Sequence, residues 1–338
     1  MEKFSDFISE QVTEKPYKLL ILVAQTQDDQ NKTGIILEKE AKKMGIEVYQ
    51  FEVNDGYIRT NEKGNLVFHN YIYEKGTGGI PKIEEHDKKG FEVTPEDTVC
   101  LPRSSNGKVV RLSDTLRLNG VFVINPKFTM TMCNDKWLNY VAMKVAGLRQ
   151  PKTSYVKTSR TVDIALNDIG NKFPLILKTM DGAAGIGVSF IESKKNLVST
   201  LQMMDKLKPK RSVIIQEYIK VDFDVRVFIL NNEIVAQIKR PIPEDDFRGN
   251  ISQGNVAKKV ELTELEKSEC LKATKSVRGM MVGVDFLPSK NRETEKPYFL
   301  EVNASPGTSY INELNGINIH KIILNTFKNR DNWRKQWV

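Results

Sequence analysis

Apolar residues recur with two different periods along this chain, and the change of period marks its organisation. Phe4, Phe7, Ile8 and Val12 fall at helical spacing with polar residues between them, so residues 1–15 read as a short amphipathic helix. Pro16 ends it, and residues 17–24 form the nearly unbroken apolar run of a buried strand. A helix over 32–44, Gly45 as its C-cap and a strand over 47–53 complete a βαβ pattern, which implies a small parallel-sheet lobe. Residues 98–103 and 120–126 read as two more buried strands, the first ending in Arg103, and Asn125-Pro126 marks a lobe boundary. Between these strands, residues 54–86 are rich in Gly, Asn and Lys with short β-like pieces such as 66–68, the pattern of a hairpin or excursion.

Beyond the boundary, Asn134 or Asp135 caps a helix that runs to about Ala146. Strands follow at 174–178, 188–192, 212–217, 225–230 and 233–238, the last two joined across Asn231-Asn232. A helix at 262–280, strands at 283–287 and 298–302, and a terminal helix near 319–328 complete the chain. The sum predicts an α/β protein: an α+β body of mostly antiparallel strands attached to a parallel N-terminal lobe. The expected divisions are an N-terminal segment (1–16), an N-lobe (17–125), a central subdomain (126–215) and a C-terminal subdomain (216–330).

Composition narrows the classes. A chain of 338 residues with 40% hydrophobic content can bury a substantial core in two or three lobes. No apolar stretch approaches the roughly 20 residues that span a bilayer, and the N-terminus lacks a secretory apolar core, so a cytoplasmic location and no membrane partner are expected. Cys100, Cys133 and Cys270 are widely spaced, as are His69, His86 and His320, which argues against zinc and disulfides. The net charge of +8 comes from lysines spread along the whole chain, without an aromatic-interleaved basic stripe. An acidic small molecule or acidic peptide tail fits that charge better than nucleic acid does. A homo-oligomer is left open.

Four segments carry candidate chemistry. Residues 174–188 are an apolar strand ending in Lys178, a loop with Gly182, Gly185 and Gly187, and a second strand. Glycines let backbone N–H groups approach phosphate oxygens and a lysine adds charge, although a plain hairpin turn explains the same pattern. The glycine spacing is not the dinucleotide fingerprint, and the loop leads into a strand where Rossmann and P-loop sites need a helix. Residues 214–219 form a strand with a polar exit. Asp285 lies in an apolar strand, and Glu301 and Asn303 alternate onto one face of another. Two carboxylates and an amide are hard oxygen donors that suit magnesium, with manganese as the substitute, and charges inside apolar strands are costly unless a cation offsets them. Arg226 alternates with apolar neighbours on its strand, and Arg240 and Arg248 flank a loop able to close over phosphates, so these three arginines are the candidate catalytic cations.

Taken in order, these motifs resemble the ATP-grasp superfamily, and most closely its RimK-type α-L-glutamate ligases with their glutathione synthetase-like ATP-binding fold. The resemblance covers about 101–327 and is densest at 174–188, 216–220, 224–226, 246–250, 283–287 and 301–307. It implies a three-lobed ATP-grasp fold in which Lys136 and Lys178 contact ATP phosphates beneath the glycine loop. Glu217, Tyr218 and Ile219 would line the adenine pocket, with Asp224 near the ribose. Arg248 and Asn250 would reach the phosphates, and Asp285, Glu301 and Asn303 would bind one or two magnesium ions. Arg103 and Ser305 are the candidate substrate contacts. Such enzymes phosphorylate a carboxylate with ATP and let an amine attack the acyl phosphate, which agrees with an inventory holding cations and a metal set but no nucleophile–base pair.

The sequence departs from the pattern between Tyr218 and Asp224, which is shorter than in bacterial ribosomal-protein modifiers, and at the 54–86 excursion. Both bear on the acceptor and not on the ATP site. The expected function is an acid–amino-acid ligase that adds glutamate or another amino acid to a peptide, protein tail or small acid. The alternatives are an inactive ATP-binding regulatory or structural protein and a side-chain cross-linking ligase. The 1–15 helix either packs on its own protein or serves as a docking tag, in loose resemblance to N-terminal peptides of some tailed-phage proteins. In a phage the protein would sit in the host cytoplasm or with the virion.

Overall fold

The computed structural model describes residues 16–24, 32–70, 72–73, 81–82, 89–180, 187–207, 212–243, 246, 256–308 and 311–334. The 1–15 segment, with its expected amphipathic helix, lies outside them. The chain forms two compact units, one of residues 1–127, 307–312 and 317–338, the other of 128–306 and 313–316.

In the first unit, β1 (Lys18–Val23), α1 (Lys32–Lys43) and β2 (Glu47–Glu52) make the expected βαβ turn. An antiparallel sheet of β3 (Tyr57–Thr60), β4 (Leu66–His69) and β7 (Phe91–Val93) takes up much of the excursion, with β5 (Ile72–Tyr73) paired to β6 (Pro81–Lys82). β8 (Thr98–Pro102), α2 (Gly107–Leu118) and β9 (Phe122–Val123) complete a parallel sheet of order β2-β1-β8-β9. The central strand β1 is apolar almost throughout because both its faces are covered, and Leu19, Leu20, Ile21 and Leu22 are fully buried. Helix α2, which the sequence reading does not anticipate, sets Val109, Leu112 and Leu116 on the face it turns to the core and Lys108, Arg111, Asp114 and Arg117 on the opposite one. Asn106 caps it by accepting from the Lys108 N–H at 2.8 Å.

The second unit opens with α3 (Lys127–Asn134) and α4 (Lys136–Val145), and Asp135 caps α4 by accepting from the N–H groups of Trp137 and Leu138, both at 2.9 Å. Asn125-Pro126 therefore opens a helix as well as closing a lobe. β10 (Thr153–Val156), α5 (Val162–Asp168), β11 (Leu175–Thr179), β12 (Val188–Ile191), α6 (Lys194–Leu207) and β13 (Val213–Glu217) give an antiparallel sheet of order β10-β13-β11-β12. One face of it is covered by Val162, Ala165 and Leu166 of α5 and Leu197 and Leu201 of α6.

β14 (Phe223–Leu230), β15 (Glu233–Pro241), β16 (Lys258–Lys259), α7 (Glu264–Ser276), β17 (Met281–Leu287) and β18 (Tyr298–Asn303) build the second sheet, of order β16-β15-β14-β17-β18. Asn231 and Asn232 turn β14 into β15 with φ of 52° and 65°, the left-handed pair a tight hairpin needs. The sheet is two-faced. Val225, Val227, Ile229, Val282, Val284, Phe286, Phe299 and Val302 point into a core closed by Met143 of α4, Cys270 and Ala273 of α7 and Val277 just after it. A bulge at Leu300 makes this possible, because Asp285 pairs with Glu301 while Phe286 pairs with Phe299. Strict alternation would put Phe299 and Glu301 on one face; the extra residue turns Phe299 into the core and Glu301 to the polar side.

The short α8 (Ile311–Asn315) leads to α9 (Ile319–Lys328) and α10 (Asp331–Arg334), which return to the first unit. There Tyr17 Oη donates to the Leu324 carbonyl at 2.9 Å, and Phe122 stacks on Trp333 at 5.2 Å. The terminal helix read from the sequence thus belongs with the N-terminal strands, although the expected divisions grouped it with the C-terminal subdomain. Its buried face of Ile319, Ile323, Leu324 and Phe327 finds its cover there. No helix among the described residues is long and apolar enough to cross a membrane.

Candidate active site

The polar face of the five-stranded sheet gathers Asp224, Arg226, Arg240, Asp285, Glu301 and Asn303 because its register aligns them. Arg226 on β14 lies opposite Asp285 on β17, and Asp285 lies opposite Glu301 on β18. Two residues to one side of this row Asp224 pairs in register with Arg240 of β15, and two residues to the other side Gly283 pairs with Asn303. Arg226 donates to both Asp285 oxygens, Nε to Oδ1 at 2.7 Å and Nη2 to Oδ2 at 2.5 Å. Arg240 donates to both oxygens of Asp224 at 2.6 and 2.9 Å and reaches Asp285 Oδ2 at 3.1 Å. Burial alone would raise the Asp285 carboxyl, but the two guanidiniums outweigh it and hold the group at about 2.

This network redistributes the expected roles. Arg240 was read from the sequence as flanking a loop over the phosphates; it is 3% exposed and spans two carboxylates. Asp224, expected near a ribose, has both oxygens bound by Arg240. The Arg226 side chain keeps 16% exposure against 4% for Arg240, so Arg226 is the member of the pair that reaches solvent.

Glu301 is half-buried, and Asn303 Nδ2 donates to its Oε1 at 3.0 Å. With the amide nitrogen on Glu301, the amide oxygen is the atom of Asn303 with lone pairs for a cation. Among the described residues no three His, Cys, Asp or Glu side chains group to hold a metal ion. The hard donors here are two carboxylates and one amide on a common face, a set that fits a divalent cation completing its shell with nucleotide and water oxygens.

Lys178 lies within electrostatic reach of these carboxylates and of Lys136. Lys178, half-buried on β11, donates to Gln216 Oε1 at 2.8 Å, and Gln216 Nε2 donates to Thr153 Oγ1 at 2.8 Å. Burial pushes the Lys178 ammonium down to about 8 and Lys136 adds to that, while Glu301 and Asp285 pull the other way. Lys136, half-buried, is the first residue of α4 after its Asp135 cap. Gln216 lies within the 216–220 motif but has no role in the sequence reading; its signal there is a polar residue near the end of the apolar run of β13, and in the structure it is 4% exposed.

Glu217, Tyr218 and Ile219 carry the chain from β13 of one sheet towards β14 of the next. The Glu217 N–H donates to the Lys152 carbonyl at 2.8 Å, and its carboxylate accepts from the Lys152 N–H at 3.2 Å. Tyr218 sets its ring edge-on to Phe190 at 5.1 Å. Gly187 takes φ of 79°, and a Cβ there would run into Thr179 Oγ1, so closing the β11–β12 hairpin already requires a glycine. Ser305 is half-buried just after β18. Arg103 follows β8 in the first unit, where burial pushes its guanidinium down to about 10. Gly182, Gly185, Arg248 and Asn250 lie outside the described residues.

A RimK-like ATP-grasp domain matches residues 133–327, more than half of the chain. The chain belongs to the RimK-like ATP-grasp family. Over 264 residues it is 30% identical to a protein of Marinobacter nauticus named probable alpha-L-glutamate ligase, covering 76% of this chain and 84% of that protein. A D-alanine–D-alanine ligase from Bacillus anthracis complexed with ATP superposes with a TM-score of 0.65 at 17% identity, over 95% of this chain and 99% of its own. The ATP-grasp ligase PsnB, complexed with a minimal precursor, gives a TM-score of 0.64 at 16% identity, over 92% and 98%. At such identities the two structures speak for the fold. This RimK-like protein is thus an ATP-grasp ligase that forms amide bonds at the expense of ATP, in a family that uses ATP with divalent metal ions.

Proposed function

We propose that this ligase activates the carboxylate of a peptide, protein tail or small acid as an acyl phosphate and joins it to the amine of an amino acid, glutamate first among them. The observation that carries the reading is the row Arg226, Asp285 and Glu301 across three adjacent strands, with the Lys178 charge coupled to both carboxylates. The likeness to the probable glutamate ligase of Marinobacter nauticus supports glutamate as the donor.

In this reading Asp285, Glu301 and Asn303 hold magnesium, which neutralises charge on the nucleotide phosphates. Lys136 and Lys178 face the phosphates, as would Gly182, Gly185, Arg248 and Asn250. Glu217, Tyr218 and Ile219 border the adenine, and Arg103 and Ser305 contact substrate. The substrate carboxylate oxygen takes the γ-phosphoryl group as the bond to ADP breaks; the amine nitrogen then bonds to the acyl carbon, phosphate leaves with the electron pair of the C–O bond, and the nitrogen gives up a proton to the departing phosphate or to water. Arg226 supplies positive charge to the transferring group, while Arg240 positions Asp285. Free Cys100, Cys133 and Cys270 support a reducing, cytoplasmic location.

Incubation with magnesium-ATP, a mixed amino-acid pool and acidic peptides tests the reading. ADP should appear together with an acceptor heavier by one amino-acid residue. Loss of water from a peptide with no added residue would replace amino-acid addition by side-chain cross-linking. Glu301→Ala should stop ADP formation while the fold survives, and magnesium-dependent turnover in that variant would refute the metal assignment.

A further inference from the structure

Asn139 has no task in the reading above, and its surroundings ask for one. It lies three residues beyond Lys136 on α4 and is 2% exposed. A carboxamide that deep is costly unless its donor and acceptor are both engaged. Both are, and by a single residue: Nδ2 donates to the Val302 carbonyl at 2.9 Å, and Oδ1 accepts from the Val302 N–H at 3.0 Å.

Val302 is the residue between Glu301 and Asn303. β18 is the last strand of its sheet, so no further strand pairs with the backbone groups that point away from β17. The Asn139 side chain supplies the donor and acceptor that such a strand would, at the residue flanked by both polar ligands. From there to Lys136 is less than one helical turn, about 4.5 Å of rise. A displacement of β18 against α4 would therefore move Glu301 and Asn303 relative to Lys136.

We propose that Asn139 is a positioning residue that fixes the Glu301–Asn303 pair against Lys136, so that the metal and the phosphate charges are met in one geometry. The proposal rests on the metal reading of Asp285, Glu301 and Asn303. Asn139 touches neither nucleotide nor metal; it acts through the backbone of Val302.

Manganese(II) binding to the full chain with ADP present, followed by the electron paramagnetic resonance of free ion, tests this without turnover. Asn139→Leu keeps the branching of the side chain and removes both bonds. It should weaken manganese binding by about 10- to 100-fold, the usual cost of losing a group that orients a metal ligand. ADP binding without metal should persist. Asn139→Ser, which keeps a hydroxyl and admits water, should fall between wild type and Asn139→Leu, and it carries the same measurement if Asn139→Leu does not fold. A purely structural role lowers the melting temperature and leaves manganese affinity unchanged; that result in either folded variant overturns the proposal. Glu301→Ala separates the two claims. If it too loses manganese while Asn139→Leu does not, only the role of Asn139 fails; if it binds manganese like wild type, the metal reading fails and takes the proposal with it.

Discussion

Arg226 and Asp285 face each other across β14 and β17 and join through two hydrogen bonds, while Asp285 also accepts one from Arg240. This buried carboxylate is thus held by two guanidiniums on a sheet whose other face is hydrocarbon. Ionic groups so deep persist only while each has its partners, so the chemistry of the site and the stability of the sheet share the same residues.

Arg240→Met should lower the free energy of unfolding by about 3–5 kcal/mol, because it leaves Asp224 and Asp285 buried with one guanidinium fewer. Arg226→Met should cost less, since Asp285 keeps Arg240 and the Arg226 side chain is 16% exposed. Urea unfolding of both variants checks the order. A larger loss for Arg226→Met would mean that Arg240 is not the structural member of the pair.

Lys178 should make nucleotide binding proton-linked. Its ammonium sits at about 8 in the free protein, so near that pH a share of the molecules lacks the charge. Phosphates beside the amine favour the protonated form, and binding at pH 8 should take up protons, whereas at pH 6 it should not. Calorimetry in buffers of different ionisation enthalpy measures this. Gln216→Leu removes the acceptor at 2.8 Å from Nζ and should shift the uptake to lower pH. Lys178→Arg should abolish it, because a guanidinium stays charged.

Acid should act on the two units through different groups. Burial, reinforced by the charge of Arg103, pushes His320 down to about 4 from an ordinary 6.5. Between these values the unfolded chain binds more protons, so the stability of the first unit should fall from about pH 6.5 towards 4, and His320→Gln should flatten that slope. Asp285 is held at about 2 against 3.8, so its contribution persists down to about pH 4 and is lost only towards 2. The deficit of Asp285→Asn relative to wild type should stay constant from pH 7 to about 4.5 and shrink below it. A deficit that shrinks from pH 7 downward would contradict the strength assigned to the Arg226 and Arg240 contacts.

The strands were largely legible because a buried strand must be apolar on at least one face, and β1, β8, β11, β13, β14, β17 and β18 all carry that mark. Several helices were not. In α2 and α6 the apolar residues do recur at helical spacing, Val109, Leu112 and Leu116 in the one and Leu197, Leu201 and Met204 in the other, but β-branched and hydroxyl residues such as Val110, Ser113 and Thr115, or Val198, Ser199 and Thr200, weaken the helix signal. The bulge at Leu300 leaves no local trace, since its effect is on which face Phe299 takes. Asn139 has no role in the sequence reading, and Gln216 none of its own within the 216–220 motif, because a lone amide in an apolar segment looks the same whether it meets solvent or a partner as far off along the chain as Val302 is from Asn139.

The sequence by itself determined the family, through the order of its motifs, and with it the kind of chemistry the resemblance implies; an inventory of oxygen donors, lysines and arginines without a nucleophile–base pair agrees with catalysis by charge neutralisation and positioning. What only the tertiary structure decided is the division of labour among them. Arg226 and Arg240 are alike in sequence, each a cation in an apolar strand, yet cross-strand register places one at the solvent edge against Asp285 and seals the other between Asp224 and Asp285. Register depends on residues far apart along the chain and is set by the packing of the opposite face, so no local pattern carries it.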